Sequence, residues 1–337
     1  MDVRLSAEQR ALRDTAVSVV DSLHPSSVID LSDTERTAKL EAAIAATGWR
    51  QLREADEDAA PGRGTPYASA VEAALIAEEL GRGLADAAFV GPTLAAELRR
   101  LAGAAAAQVP ETVAVRPDLS DVASAGLAAT AVDAAGARTA LLLAAGELAV
   151  VELGSFADPL DLTRPQVVVP ASATAAPIGK AIGAEGLDKW TALGLALTAA
   201  DLVGVMRGAI TLATDYARVR KQYGAAIGSY QAVQHLLADA FVAMEGSRSA
   251  ALHAAWAVDA LPADEALAAA AGAKAYCARA ARMVCETSIQ VHGGIGNTWE
   301  CLAHVYLRRA LVSIDLLGGV GANLERVLAH NVAGVKP

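Results

Sequence analysis

The chain has 337 residues, 54% of them hydrophobic and 4% aromatic, with a formal net charge of −10. A chain of this length can bury a large core over two or three domains. Its acidic and basic residues are interspersed, which excludes the basic stripe that a nucleic-acid backbone requires.

Read from the N-terminus, Met1 to Ser6 is polar and leads directly into a helix, with no secretory h-region. Ser6 and Gln9 fit a capping box, and Leu12, Ala16, Val19, Val20 and Leu23 then share one helical face. A second helix is predicted from near Asp33 to Gly48, a natural stop. Arg53 to Pro66 is charged and rich in Gly and Pro, hence a loop. A third helix follows from Tyr67 to about Gly83, and Pro92 opens a fourth over Thr93–Leu101.

After Gly103 the pattern changes. Val113–Val115, Thr139–Leu143, Leu148–Leu153 and Val167–Val169 are short apolar runs punctuated by Gly, Asp and Pro, and they predict strands of a small β domain. From Leu187 four long helices are predicted, Leu187–Val219, Ser229–Ala260, Asp264–Val291 and Trp299–His330, joined by short turns as in an antiparallel four-helix bundle. No apolar run approaches the ~20 residues of a membrane span. Cys277, Cys285 and Cys301 have neither metal-ligand spacing nor an even count, and read as buried thiols of a reducing cytoplasm. The predicted fold is mainly α: a helical domain (1–103), a reduced middle β domain (104–178) and a C-terminal four-helix bundle (179–337).

Two stretches of the bundle carry chemistry when taken together. One is Tyr216-Ala-Arg-Val-Arg-Lys-Gln-Tyr-Gly224, continuing through Ile227-Gly-Ser-Tyr-Gln-Ala-Val-Gln-His235; the other is Gln290-Val-His-Gly-Gly-Ile-Gly-Asn-Thr-Trp-Glu300. Singly, Arg220 reads as a solvated helix-end cation, Tyr223 as core, and Gly293 with Gly294 as a helix C-cap. His292 and His304 read as ordinary polar residues. With Ala77-Glu-Glu-Leu-Gly-Arg82 near the end of the third helix, the set resembles the acyl-CoA dehydrogenase family, in order and over the whole chain.

That resemblance implies FAD held at a subunit interface, with one subunit's β domain gripping the isoalloxazine and the neighbour's bundle serving the adenine and pyrophosphate end. Carried over, Arg220 faces the pyrophosphate, where a guanidinium gives charge-assisted hydrogen bonds. Tyr223 packs near the adenine, Gln231 and Gln290 hydrogen-bond nearby, and Gly293 and Gly294 let the backbone approach the dinucleotide.

The family also needs a carboxylate to take the substrate's α proton from the side opposite the flavin. In the stretch Arg308-Arg-Ala-Leu-Val-Ser-Ile-Asp-Leu-Leu-Gly318 the usual base position falls on Leu317, and the alternative position on the first bundle helix falls on Gly194. Neither moves a proton. Asp201 and Asp315 lie nearby as displaced candidates, with a structural or solvent-facing aspartate the favoured reading of each, and Glu300 matches an acidic position that the family does not use as its base. No Thr-Glu-Pro-Gly-Ala-Gly-Ser-like stretch occurs between Gly103 and Ala176.

The Gly-Gly-Ile-Gly-x-Thr-Trp-Glu run with Ala303-His-Val-Tyr-Leu-Arg-Arg309 resembles actinobacterial heteromeric dehydrogenases that pair a catalytic chain with a shorter, base-less one and act on steroid side-chain CoA thioesters. The expected function is therefore a non-catalytic subunit of an α2β2 acyl-CoA dehydrogenase, without catalytic or metal-ligating residues of its own, that shares FAD with its partner. Two other readings stay open: a self-sufficient dehydrogenase or oxidase using Asp201 or Asp315, and a scaffold that never touches flavin.

Overall fold

A computed structural model describes residues 4–56, 64–154 and 159–334. Residues 57–63 of the expected Arg53–Pro66 loop, and residues 1–3, lie outside them. Helix α1 (Ala7–Leu23) starts at Ser6, whose hydroxyl accepts the Gln9 N–H at 3.1 Å while the Gln9 side chain accepts the Ser6 N–H at 3.0 Å. This reciprocal pairing satisfies two otherwise orphan donors. Helix α2 (Thr34–Thr47) is capped by the Asp33 carboxylate and ends at Gly48, φ 68°. Helix α3 (Ala70–Arg82) starts three residues later than predicted, because Ser69 rather than Tyr67 supplies its cap. Helix α4 (Val90–Ala102) already contains Pro92 in its first turn, where no N–H is needed.

The middle of the chain forms a six-stranded sheet in the order β5-β2-β1-β3-β4-β6, with β1 and β3 parallel and the other neighbours antiparallel. Four strands fall where the apolar runs predict them: β1 (Glu111–Val115), β3 (Thr139–Ala144), β4 (Glu147–Glu152) and β5 (Val167–Val169). The other two, β2 (Ala129–Val132) and β6 (Ala176–Ala181), carry little β signal. The first is half alanine and the second is a largely exposed edge with Pro and Gly, so pairing rather than propensity makes them strands.

Three bundle helices match expectation: α5 (Ala184–Val219), α6 (Gln231–Ala260) and α7 (Ala263–His292). Helix α5 is in fact long and apolar enough to cross a membrane, contrary to the sequence expectation, but 89% of its apolar window is buried inside the protein. It crosses α3 at backbone contact. A Cβ on Gly204 would stand 1.9 Å from the Glu78 carbonyl oxygen, so only glycine permits this approach.

The predicted continuous helix Trp299–His330 is not formed. It begins only at Ala303 and is cut into α8 (Ala303–Asp315) and α9 (Val320–Gly334). At the break Leu317 and Gly318 take φ of 61° and 95°. Four successive carbonyls there find side-chain donors: Leu316 from Lys274, Leu317 from Arg326, and Gly318 and Gly319 from Asn323. These tertiary partners hold a leucine in the left-handed conformation that local sterics disfavour.

Candidate functional site

Motif residues from the two bundle stretches emerge at one end of the bundle. The last turns of α5 and α7 and the first turns of α6 close around a small apolar cluster of Ala213, Ala217 and Val291, with Tyr216, Ile227, Val233 and Leu237 against it. Tyr216 stacks on His292 with ring centroids 4.5 Å apart, and His292 Nδ1 lies 2.7 Å from the Ser288 carbonyl. His292, a mere polar residue by sequence, is thus buried and holds the two motifs together. The Tyr216–His292 pairing had no signal in the sequence, since the partners lie on different helices.

Arg220 is the C-cap of α5 and is exposed; its guanidinium makes no ion pair or hydrogen bond among the described residues. Beyond it, β7 (Lys221–Gln222) and β8 (Ala225–Ala226) form a two-residue hairpin whose turn is Tyr223-Gly224, with φ of 51° and 83°. Both central residues have positive φ, as the tightest hairpins require. Tyr223 is 98% exposed, so the sequence alternative of a core tyrosine is wrong. The Tyr230 hydroxyl braces the hairpin by donating to the Gln222 carbonyl at 2.9 Å. Gln231 is the first residue of α6 and exposed, and Gln290 lies exposed in the last turn of α7. Gly293 is indeed the C-cap of α7, at φ 65° and ψ −142°, a region open essentially to glycine alone. A Cβ on Gly293 or Gly294 would meet nothing within 4 Å. The bundle end therefore presents a guanidinium without a partner among the described residues, the positive end of the α6 dipole and two open glycines, features that favour an anionic ligand.

The two base positions read from sequence, Leu317 and Gly194, meet in space. The Leu317 side chain is fully buried, and its Cδ1 stands 2.1 Å from where a Cβ on Gly194 would be, with Leu94 on the other side. The Leu317 N–H donates to the Leu119 carbonyl at 2.7 Å. Leu119 belongs to the loop after β1, Arg116-Pro-Asp-Leu-Ser120, and itself has φ 60°. Arg326, which holds the Leu317 carbonyl, also reaches the Ser120 carbonyl at 3.4 Å. The sheet loop and the α8–α9 break are thus bonded directly to each other. The Leu317 side chain thus occupies the space directly over Gly194.

Asp201 is fully buried. One carboxylate oxygen accepts from Arg309 Nε and Nη2 at 3.0 and 2.7 Å, the other from Arg164 Nη1 at 3.3 Å and the Ser313 hydroxyl at 2.6 Å. Burial alone would raise its pKa, but the charges of Arg164 and Arg309 and these donors hold it below the usual carboxylate range. An ionised carboxylate with four donors already on it has no free lone pair for a substrate proton. Asp315 ends α8 and is exposed.

Lys274, on α7, was not singled out from sequence. It is wholly buried and donates to the Leu316 carbonyl at 2.7 Å, and burial depresses its pKa to about 7 against partial compensation from Cys277 and Asp315. Since the folded pKa lies below the unfolded one, the unfolded chain binds more protons above pH 7 and stability rises with pH in that window. In wild type this contributes a slope of about 1.4 kcal/mol per pH unit between pH 7 and 9. Lys274→Met is expected to lose that contribution in denaturant titrations across the interval; equal slopes would show that the folded amine keeps its proton there, with no depressed pKa.

The helical–sheet–bundle order is that of an acyl-CoA dehydrogenase-like fold. Residues 192–331 match the family model for the C-terminal domain of acyl-CoA dehydrogenases. Among curated relatives, the chain is 43% identical over 144 residues to acyl-CoA dehydrogenase FadE34 of Mycobacterium tuberculosis, a match covering 43% of this chain and 20% of FadE34. It is 29% identical over 275 residues to acyl-CoA dehydrogenase IpdE2 of Mycolicibacterium smegmatis, covering 77% of this chain and 78% of the relative. Among solved structures, a Tcur3481–Tcur3483 steroid ACAD variant matches at TM-score 0.75 and 21% identity, over 97% of this chain and 98% of that one. The ChsE4–ChsE5 complex of Mycobacterium tuberculosis matches at TM-score 0.74 and 21% identity, over 100% of both chains. At such identities the structural matches speak for the fold. FAD is a cofactor of this fold family.

Proposed function

We propose that this chain is the non-catalytic subunit of a heteromeric, FAD-dependent acyl-CoA dehydrogenase. The observation that carries this reading is the closed base position: Leu317 packs on Gly194 and is bonded to the sheet loop through Leu119. The same chain offers Arg220, Tyr223, Gln231, Gln290, Gly293 and Gly294 on an open bundle end. It therefore serves a neighbour's flavin while lacking a base of its own. Its helical domain (1–103) and β domain (104–178) act as structural supports, and the bundle (179–337) makes the contribution to the flavin.

FAD, when bound, takes the β hydride of the acyl-CoA thioester, and the partner subunit supplies the base and the isoalloxazine grip. In this chain, Arg220 would neutralise pyrophosphate charge, Gly293 and Gly294 would allow close approach of the backbone, and Tyr223 would pack near the adenine. The neighbours named as a steroid ACAD and as a ChsE4–ChsE5 complex favour a bulky steroid side-chain thioester and a two-chain assembly. The exposed apolar residues Leu324, Leu328 and Val332 at four-residue spacing on α9, with Tyr276 and Met283 on α7, favour an α2β2 tetramer. Three free, buried cysteines accord with a reducing cytoplasm.

The test is flavin stoichiometry. The chain alone should be colourless, and the complex with its catalytic partner should hold one FAD per heterodimer by absorbance against protein mass. Two FAD per heterodimer would mean that this chain's own sheet and bundle grip a flavin, and the reading fails.

A further inference from the structure

A second buried feature lies where sheet, helical domain and bundle meet. Asp133, at the end of β2 with φ 49°, is 5% exposed; one of its carboxylate oxygens accepts the N–H groups of Phe89 and Gly91 at 2.8 and 3.1 Å, at the start of α4. Its other oxygen, Oδ1, is buried and has no partner among the described residues. An unpaired buried carboxylate oxygen is costly, so its surroundings decide what it meets.

Those surroundings can be counted. Arg164 gives Nε to Asp161, one Nη1 hydrogen to Asp201, and its two Nη2 hydrogens to the Arg309 carbonyl and the Ser313 hydroxyl. Arg309 gives Nε and one Nη2 hydrogen to Asp201, and both Nη1 hydrogens to the Ala85 carbonyl and the Thr163 hydroxyl. A guanidinium has five hydrogens, so each arginine keeps one, on Nη1 of Arg164 and on Nη2 of Arg309. Asp201 has four donors and is saturated. Two donor hydrogens and one acceptor oxygen therefore remain in the cluster. Asp133, Arg164, Asp201 and Arg309, with apolar side chains of α3 and the α3–α4 turn, wall a cavity of about 10 Å³, close to the roughly 10–15 Å³ that one water requires.

We propose that this cavity is a binding site for a single internal water, which accepts from Arg164 and Arg309 and donates to Asp133 Oδ1. Two lone pairs meet two donors, and one of its hydrogens meets the remaining acceptor. A metal cation is disfavoured, because two arginine donors face the space and a single carboxylate oxygen is free to ligate it. The water ties the end of β2 and the start of α4 to the α5–α8 ion cluster, making the joint between sheet and bundle continuous.

The experiment is a crystal structure of the chain, alone or in its complex, at a resolution that shows ordered solvent. A fully occupied water on Asp133 Oδ1, within hydrogen-bond distance of at least one of the two arginines, is expected. A cavity without density, or an Asp133 side chain paired directly with an arginine, would overturn the proposal. Asp133→Asn adds a second check. It is isosteric and can still accept from Phe89 and Gly91, but turns an amide donor toward a space that already holds only donors, so the water should be lost from an otherwise unchanged structure. Water density persisting in that variant would show that the carboxylate does not hold it.

Discussion

Asp201→Asn is expected to destabilise the chain by about 3–5 kcal/mol, the cost of leaving buried charges without their partner. The substitution keeps size and one acceptor oxygen but presents an amide donor to a cluster that contains Arg164, Arg309 and the Ser313 hydroxyl. Because those arginines come from α8 and from the turn before β5, the loss should loosen the sheet and α8 from the bundle together. Denaturant unfolding of the chain or its complex measures it. Turnover tells the other half. In an assembled complex, below the melting transition of either form, the rate should stay within about tenfold of wild type, under ~1.4 kcal/mol of barrier. Asp315→Asn should leave the rate unchanged, because Asp315 is exposed and makes no ion pair among the described residues, and should cost little stability, since its charge acts only at a distance on Lys274. A loss of several orders of magnitude in turnover, with FAD and assembly intact, would instead make one of these carboxylates the base and the chain self-sufficient.

Arg220→Ala should weaken FAD retention by the complex roughly ten- to a hundredfold, the worth of one charge-assisted hydrogen bond. The guanidinium is exposed and has no partner among the described residues, so its removal leaves no buried group stranded. Subunit association and thermal stability of the apo-complex should therefore not change. Repeated dilution and concentration, followed by flavin absorbance, separates the outcomes. Unchanged retention would remove Arg220 from the site and favour a scaffold without flavin contact.

Much of this molecule was legible before any fold was known, because the signals are local. Ser6 with Gln9, and Asp33 with Gly48, specify helix ends through bonds within a few residues of chain, and those ends stand where they were expected. Apolar periodicity placed α5, α6 and α7, and the spacing from Arg220 to Gly224 and from Gln290 to Gly294 marked the two motifs. The resemblance also placed the family's two base positions on Leu317 and Gly194. What the sequence did not contain was their contact, for they lie on separate helices and meet only when α5 packs beside the α8–α9 break. The break itself was missed for the same reason: Leu317 is a good helix former, and its left-handed backbone is held by Lys274, Arg326, Asn323 and Leu119. Likewise the sequence favoured a structural or solvent-facing Asp201 over a displaced base without choosing between burial and exposure, and only the approach of Arg164 and Arg309 from distant segments makes it a saturated buried anion. Hydrogen-bond and charge saturation are properties of who is near whom across the fold, and that is what tertiary structure alone decided.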